Sequence, residues 1–372
     1  MLEYKNIMKY LIVQDWASTH GNHAGMVHMC QMLVERYPDQ YKMIVMEQPS
    51  NPKSRQGFGH FIDSVCYKLR IKNEGNPINH YYNVVFPNRL MEHCSEMFKN
   101  FTSGDEVFLL EYLTFNAPQY RLARYIRMNY PFVRIYALSH LTVETYRDYC
   151  NQHGNVIKKW AKPIDKMMTF GSSLSRYFES MGIAHEKIST GKHYVDDTYY
   201  YKVTSLTVGS PITVIAMGAM KRNYGLLAQI VKKCSDVKWV ICRGRHEEVD
   251  ELFKGCSNVC LKGFLSEDEL KHQLDIADVS INVMDDTIGS NVVTTSMAMG
   301  LAMVVSDVGS IRDYTNDSNA LYCKNEADSF VNAIQMLAQN PDKAMAMKKS
   351  SLELAKEIDI NYIHNWFSSL CR

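Results

Sequence analysis

Twice along this chain, short apolar runs with β character alternate with longer stretches of helical period, and that alternation leaves few folds open. In the first half Tyr10 to Gln14 reads as a buried strand, Ala24 to Arg36 as a helix and Lys42 to Glu47 as the next strand. Val107 to Glu111 and Val133 to Leu138 continue the pattern around a helical Pro118 to Met128, and Lys166 to Phe170 closes the half. The second half repeats it from Ile212 to Met217 through Trp239 to Cys242, Val259 to Leu261, Val279 to Val283 and Ala302 to Ser306, as far as Ala320 to Tyr322. Strands spaced by helices in this way form a parallel sheet covered on both faces, so the expected class is α/β. The polar, aperiodic stretch 199–211 ends in Gly-Ser-Pro just before a new strand and reads as an interdomain linker. Pro341 to Cys371 reads as one or two helices with no strand after them.

Size and charge agree. A chain of 372 residues suits two domains at about 150 residues each, and two packed domains leave a cleft between them. The 41 basic and 40 acidic side chains nearly cancel, which argues against binding nucleic acid through bulk charge. No apolar run reaches the roughly 18 residues of a membrane span, and Met1 to Ile7 is mixed and charged, unlike a signal h-region. The ten cysteines are scattered, many of them in apolar runs, which suits buried thiols in a reducing cytoplasm. Cys256 and Cys260 lack a second pair or a histidine cluster at zinc spacing, so no metal site is expected there.

Four stretches at the carboxyl ends of strands carry chemistry. Ser18 to Met26 (STHGNHAGM) is a turn in which Gly25 would let a helix N-terminus approach an anion, although a plain tight turn explains it as well. Met217 to Gly225 (MGAMKRNYG) places Lys221 and Arg222 where a parallel strand leaves the sheet; they form either a clamp for a diphosphate or a solvated basic turn. Met284 to Gly300 (MDDTIGSNVVTTSMAMG) runs from an acidic pair through a Gly-Ser-Asn turn into a helix. Asp285 or Asp286 there is placed for sugar hydroxyls and the N–H groups of 290–293 for phosphate, or Ser290 or Asn291 is an ordinary cap. Ser139-His140 ends the fourth, where His140 either takes part in proton transfer or is structural.

With these residues in view, the second half resembles the donor domain of the group 1 (family 4-like) retaining glycosyl transferases of GT-B fold. Asn291 to Gly309 (NVVTTSMAMGLAMVVSDVG) is similar to the family run N-V-x-x-E-A-M-A-x-G-x-P-V-V-x-S-D-V-G. Gly263 to Asp278 (GFLSEDELKHQLDIAD) and Ser172 to Gly182 (SSLSRYFESMG), with Val195-Asp196, resemble its other elements. The resemblance implies two Rossmann-like α/β/α domains facing across a cleft: 1–200 for the acceptor, 201–350 for the nucleotide-sugar donor, and a terminal helix in 351–372 crossing back onto the first domain. Three departures stand out. The family's paired glutamates, one near the donor sugar and one on the ribose, align with Thr287 and Thr295. Its loop Arg and Lys align with Ala219 and Tyr224, leaving Lys221 and Arg222 to compensate, and its Pro aligns with Ala302.

The implied activity is transfer of a sugar from a UDP- or GDP-sugar to a hydroxyl of a glycan or lipid-linked acceptor, with retention and without a metal or other cofactor, in cell-surface or capsular polysaccharide synthesis. The site implied comprises His140 and Asp286 as catalytic residues. Gly25, Lys221, Arg222, Gly289, Ser290, Asn291 and Val292 would hold the diphosphate, and Gly218, Gly263, Phe264 and Thr295 the nucleoside. The basic, aromatic stretch 53–72 either lies on an anionic membrane or packs on the first sheet, so the expected location is the cytoplasm, or the inner face of the membrane. A non-catalytic GT-B binding or partner protein and a sugar-nucleotide epimerase are the competing readings.

Overall fold

In the computed structural model, residues 7–15, 21–47, 86–113, 118–218 and 220–370 are described, so the stretch 53–72 lies outside the described residues. The chain divides into two units. One comprises 1–141, 145–169 and 175–190, and the other 142–144, 170–174 and 191–372.

The first unit is built on a six-stranded sheet: β1 (Lys9–Asp15), β2 (Tyr41–Glu47), β3 (Glu106–Leu109), β4 (Arg134–Ser139), β5 (Lys166–Phe170) and β6 (Ile188–Gly191), in spatial order β2-β1-β3-β4-β5-β6. The pairs from β2 across to β5 are parallel. Leu11, Ile12 and Val13 are fully buried, which explains why the central strand reads as an unbroken apolar run. Helix Met26–Arg36 buries Met29, Cys30 and Leu33, the stripe its helical period predicts. The sixth strand, Ile-Ser-Thr-Gly, was not expected: it has four residues, only one of them apolar, and no periodic signal.

The second unit carries β7 (Thr213–Met217), β8 (Lys238–Cys242), β9 (Val259–Lys262), β10 (Val279–Asn282), β11 (Ala302–Ser306) and β12 (Ala320–Cys323) in the order β12-β11-β10-β7-β8-β9. All five pairings are parallel. Counted from its own first strand this is the doubly wound order 3-2-1-4-5-6, whose reversal lies between β7 and β10. Strand alternation supplies two cores. Val214, Ala216, Trp239 and Ile241 pack on one face, while Ile215, Met217, Val240 and Cys242 pack on the other. Helix Glu267–Ile276 begins with a capping box between Ser266 and Glu269, and Pro341 opens helix Pro341–Ala355 at a position where no N–H is needed. The last helix, Ile360–Ser369, lays Trp366 over Gly191, where a Cβ would stand 2.6 Å from the indole ring. Among the described residues no helix is long and apolar enough to cross a membrane.

Candidate functional site

In a doubly wound sheet the two loops at the reversal point part in opposite directions and open a crevice. In the second unit these are the loop 218–223 after β7 and the loop 283–290 after β10. Here they are stitched together. Arg222 and Met284 form an antiparallel bridge, the Asn223 N–H donates to the Val283 carbonyl (3.0 Å), and the Asp285 N–H donates to the Lys221 carbonyl (3.0 Å). The Asn223 side chain donates to Asp285 Oδ1 (2.9 Å) and also accepts from the Leu226 N–H, capping the next helix.

This stitching aims Arg222 inward. Its Nη1 donates to Asn282 Oδ1 (3.0 Å), and its buried Nε has no hydrogen-bond partner. No carboxylate pairs with it among the described residues. Burial depresses its pKa to about 10. Gly218, at φ +89°, lies directly against the guanidinium: a Cβ there would be 3.0 Å from both Arg222 Nη2 and Val292 Cγ2. The Tyr224 hydroxyl donates to the Gly218 carbonyl (2.9 Å). Tyr224 thus holds the loop, and the cation beside it is Arg222.

Lys221 is placed differently. It is a non-glycine residue at φ +52°, and the reversal turns its side chain away from that of Arg222 to an ion pair with Glu144 at 2.6 Å. The two adjacent cations therefore do not act as a matched pair, since one already has a carboxylate.

The loop after β10 is held on every side. Its Met284 N–H donates to Ser306 Oγ (2.8 Å), and the Asn325 amide donates to the Met284 carbonyl (2.9 Å). The Gly289 N–H donates to Thr287 Oγ1 (3.0 Å), and the Ser310 N–H donates to the Thr287 carbonyl (2.7 Å). Gly289 abuts the Tyr314 ring, and Gly309, at φ +57°, leaves room for Thr287, whose carbonyl would lie 2.0 Å from a Cβ. Such a loop is ordered by its own hydrogen bonds. Ser290 precedes helix Asn291–Ala298 in extended conformation, yet its buried Oγ neither caps the helix nor meets another partner among the described residues. Asn291 and Val292 begin the first turn, where N–H groups have no intrahelical acceptor, whereas the Val293 N–H expected to face phosphate already donates to the Ser290 carbonyl (3.0 Å). Asp286 accepts from the Glu144 N–H at 3.4 Å, and Thr295 is buried inside the helix.

Two strands away, at the ends of β8 and β9, Phe264 is 65% exposed with the Arg245 guanidinium 5.1 Å above its ring, and Gly263 faces Arg243. The structure thus gathers Gly218, Arg222, Asp286, Gly289, Ser290, Asn291 and Val292 at the reversal point, with Gly263 and Phe264 further along the same edge.

In the first unit, Gly25 is the N-cap of helix Met26–Arg36, where its N–H donates to the Asn22 carbonyl (2.8 Å) and Asn22 Oδ1 accepts from Ala24 (2.7 Å). His140 follows β4, and its Nε2 lies 2.8 Å from Glu111 Oε2. Burial lowers the imidazole pKa, but the charge and hydrogen bond of Glu111 outweigh it and the net shift is upward. Glu111 went unremarked in the sequence; its only signal was an acid at the end of an apolar strand.

Two Rossmann-like units, each on a six-stranded sheet with helices, define the GT-B architecture. Residues 211–340 match the family model described as glycosyl transferases, group 1, so the second unit is of group 1 glycosyl transferase type. The fold is similar to that of HepE from Anabaena in complex with UDP and glucose (TM-score 0.70, 12% identity, covering 97% of this chain and 98% of that one). It is also similar to sucrose-phosphate synthase from Thermosynechococcus elongatus (0.70, 12%, 98% of each). A third likeness is to the lipopolysaccharide outer core galactosyltransferase WaaB (0.64, 13%, 97% and 99%). At such identity the likeness speaks for the fold alone. No curated protein matches the sequence at a significant level.

Proposed function

We propose that this protein transfers a sugar, with retention, from a nucleoside-diphosphate donor to a hydroxyl of a glycan or lipid-linked acceptor in polysaccharide synthesis, working in the cytoplasm or at the inner face of the membrane. The observation that carries the reading is Arg222. A half-buried guanidinium whose buried Nε has no hydrogen-bond partner and which no carboxylate pairs with among the described residues is costly unless an anion completes it, and it sits at the reversal point of a doubly wound sheet. Negative charge grows on the diphosphate as the glycosidic bond breaks, so the transfer depends on stabilising the leaving group. Arg222 and the first turn of helix Asn291–Ala298 supply fixed positive potential for it, Asp286 and His140 meet the sugar, and Phe264 offers a face to the base. No side chain is assigned as a nucleophile. HepE bound to UDP-glucose lends support to a UDP-sugar as donor.

The test is a thermal-stability screen with UDP, GDP, ADP, CMP and TDP, since a ligand that binds only the native state raises its apparent stability. A selective shift, followed by hydrolysis of the matching sugar nucleotide and an α-linked product from an α-linked donor, upholds the proposal. No shift with any nucleotide refutes it. A second reading, a GT-B protein that binds a nucleotide sugar without turning it over, draws on Thr287, whose hydroxyl is spent on the Gly289 N–H where the family has a glutamate. Binding without hydrolysis or transfer selects that reading.

A further inference from the structure

The first unit holds a pair of ionisable groups that the donor site does not use. β3 and β4 are neighbours, with Leu109 level with Ala137, and the Tyr112 N–H donates to the Leu138 carbonyl (3.2 Å) just beyond them. Glu111 and His140 therefore leave the sheet side by side at its carboxyl edge, next to the reversal between β1 and β3. The carboxylate is the inner partner and the ring the outer one: the Glu111 side chain is 3% exposed and that of His140 19%. Glu111 is itself fixed. Its N–H donates to Gln119 Oε1 (3.0 Å), and the Gln119 amide donates to the Ile12 carbonyl (3.3 Å), tying the Glu111 backbone to β1.

An ion pair that served only packing would need neither partner at a ligand-binding edge. Here the half-open partner is the one whose charge changes near neutrality. We propose that Glu111 is a positioning residue for His140: it holds the imidazole in one orientation and in its protonated form, so that the outward part of the ring presents positive charge to an oxygen of the bound sugar donor or acceptor. This rests on the reading in which His140 meets the sugar.

The other titratable neighbours leave the task to Glu111. Tyr146, on helix Val143–His153, and Cys30, on helix Met26–Arg36, are held above their ordinary pKa values, first by burial and then by the charge of Glu111, and so stay neutral. Ser139, beside His140 in the chain, carries no charge.

The experiment uses the full-length protein with labelled histidine, its His140 resonance assigned through His140→Gln, and compares wild type with Glu111→Gln. Glutamine keeps the shape and can still accept from Nε2–H, so packing is preserved while the charge is lost. The His140 titration midpoint is expected to fall. With the sugar nucleotide found by the screen, kcat falls by about tenfold or more, KM changes by less than about threefold, and the alkaline limb of the pH profile moves to lower pH. Glu111→Asp recovers part of both effects and serves in place of Glu111→Gln should the latter not fold. An unmoved His140 titration overturns the proposal, as does a moved titration with unchanged kcat in an active enzyme. The magnetic resonance arm needs no turnover. A shifted titration in a protein that transfers no sugar therefore upholds the coupling and counts against the transferase reading alone.

Discussion

Replacing Arg222 by methionine separates what the guanidinium does for the ligand from what it costs the fold. Burial pushes its pKa down to about 10, which puts the burden of burying the charge on the order of 3 kcal/mol. Because the folded state disfavours the charged form, that burden weighs on stability at all pH values below the depressed pKa. Methionine fills similar volume without charge, but it leaves the Oδ1 of the fully buried Asn282 without its donor, at about 1–3 kcal/mol. The net change runs from zero to about 2 kcal/mol in favour of the variant, so its melting temperature should hold or rise. Binding should move the other way: losing a charge-assisted contact to the diphosphate is worth about 3 kcal/mol, roughly 100-fold in Kd. At a UDP concentration about 100 times the wild-type Kd, ligand stabilisation drops from about 2.7 to about 0.4 kcal/mol, whereas stabilisation by uridine, which has no phosphate, is unchanged. Calorimetry with both ligands reads the ratio directly. Equal loss for UDP and uridine, or a variant destabilised by several kcal/mol, would show the guanidinium to be a structural strut and refute the reasoning.

Two further substitutions probe the loops around it. Gly309→Ala combines a left-handed backbone with a Cβ 2.0 Å from the Thr287 carbonyl, so it should cost about 2–5 kcal/mol and weaken UDP binding as the loop after β10 shifts; a melting curve like that of wild type would contradict this. Lys221→Gly removes left-handed strain of about 1 kcal/mol together with a partly exposed ion pair worth no more than that, so thermal stability should be kept. UDP affinity should stay within about threefold, as weighed against the effect at Arg222, and a loss of about 100-fold in titration calorimetry would restore Lys221 to the clamp.

The alternation of strands and helices was legible because buried parallel strands must be apolar along their whole length; Leu11 to Val13 and Ala302 to Val305 leave little else to read. Ile188–Gly191 escaped because its place is owed to β5 beside it, which lies some way back in the sequence. The candidate site was visible as residues at strand ends, but not as partnerships. Lys221 and Arg222 look equivalent in the chain, and only the left-handed turn at Lys221 sends one to Glu144 and the other to Asn282. Glu111 and His140 are 29 residues apart, and their meeting depends on the order and register of β3 and β4, which no periodicity encodes.

Trp366 closing over Gly191 also sets an order of events during synthesis. The end of β6 is translated 175 residues before the indole that covers it, and the Val195 N–H waits for the carbonyl of Ile358 (2.9 Å). A growing chain can form strands β1 to β12 while the stretch around 191–195 still lacks its cover, because Trp366 follows all of them in the sequence. Chains lacking helix Ile360–Ser369 would then carry all six strands of the second sheet and an open seam at Gly191.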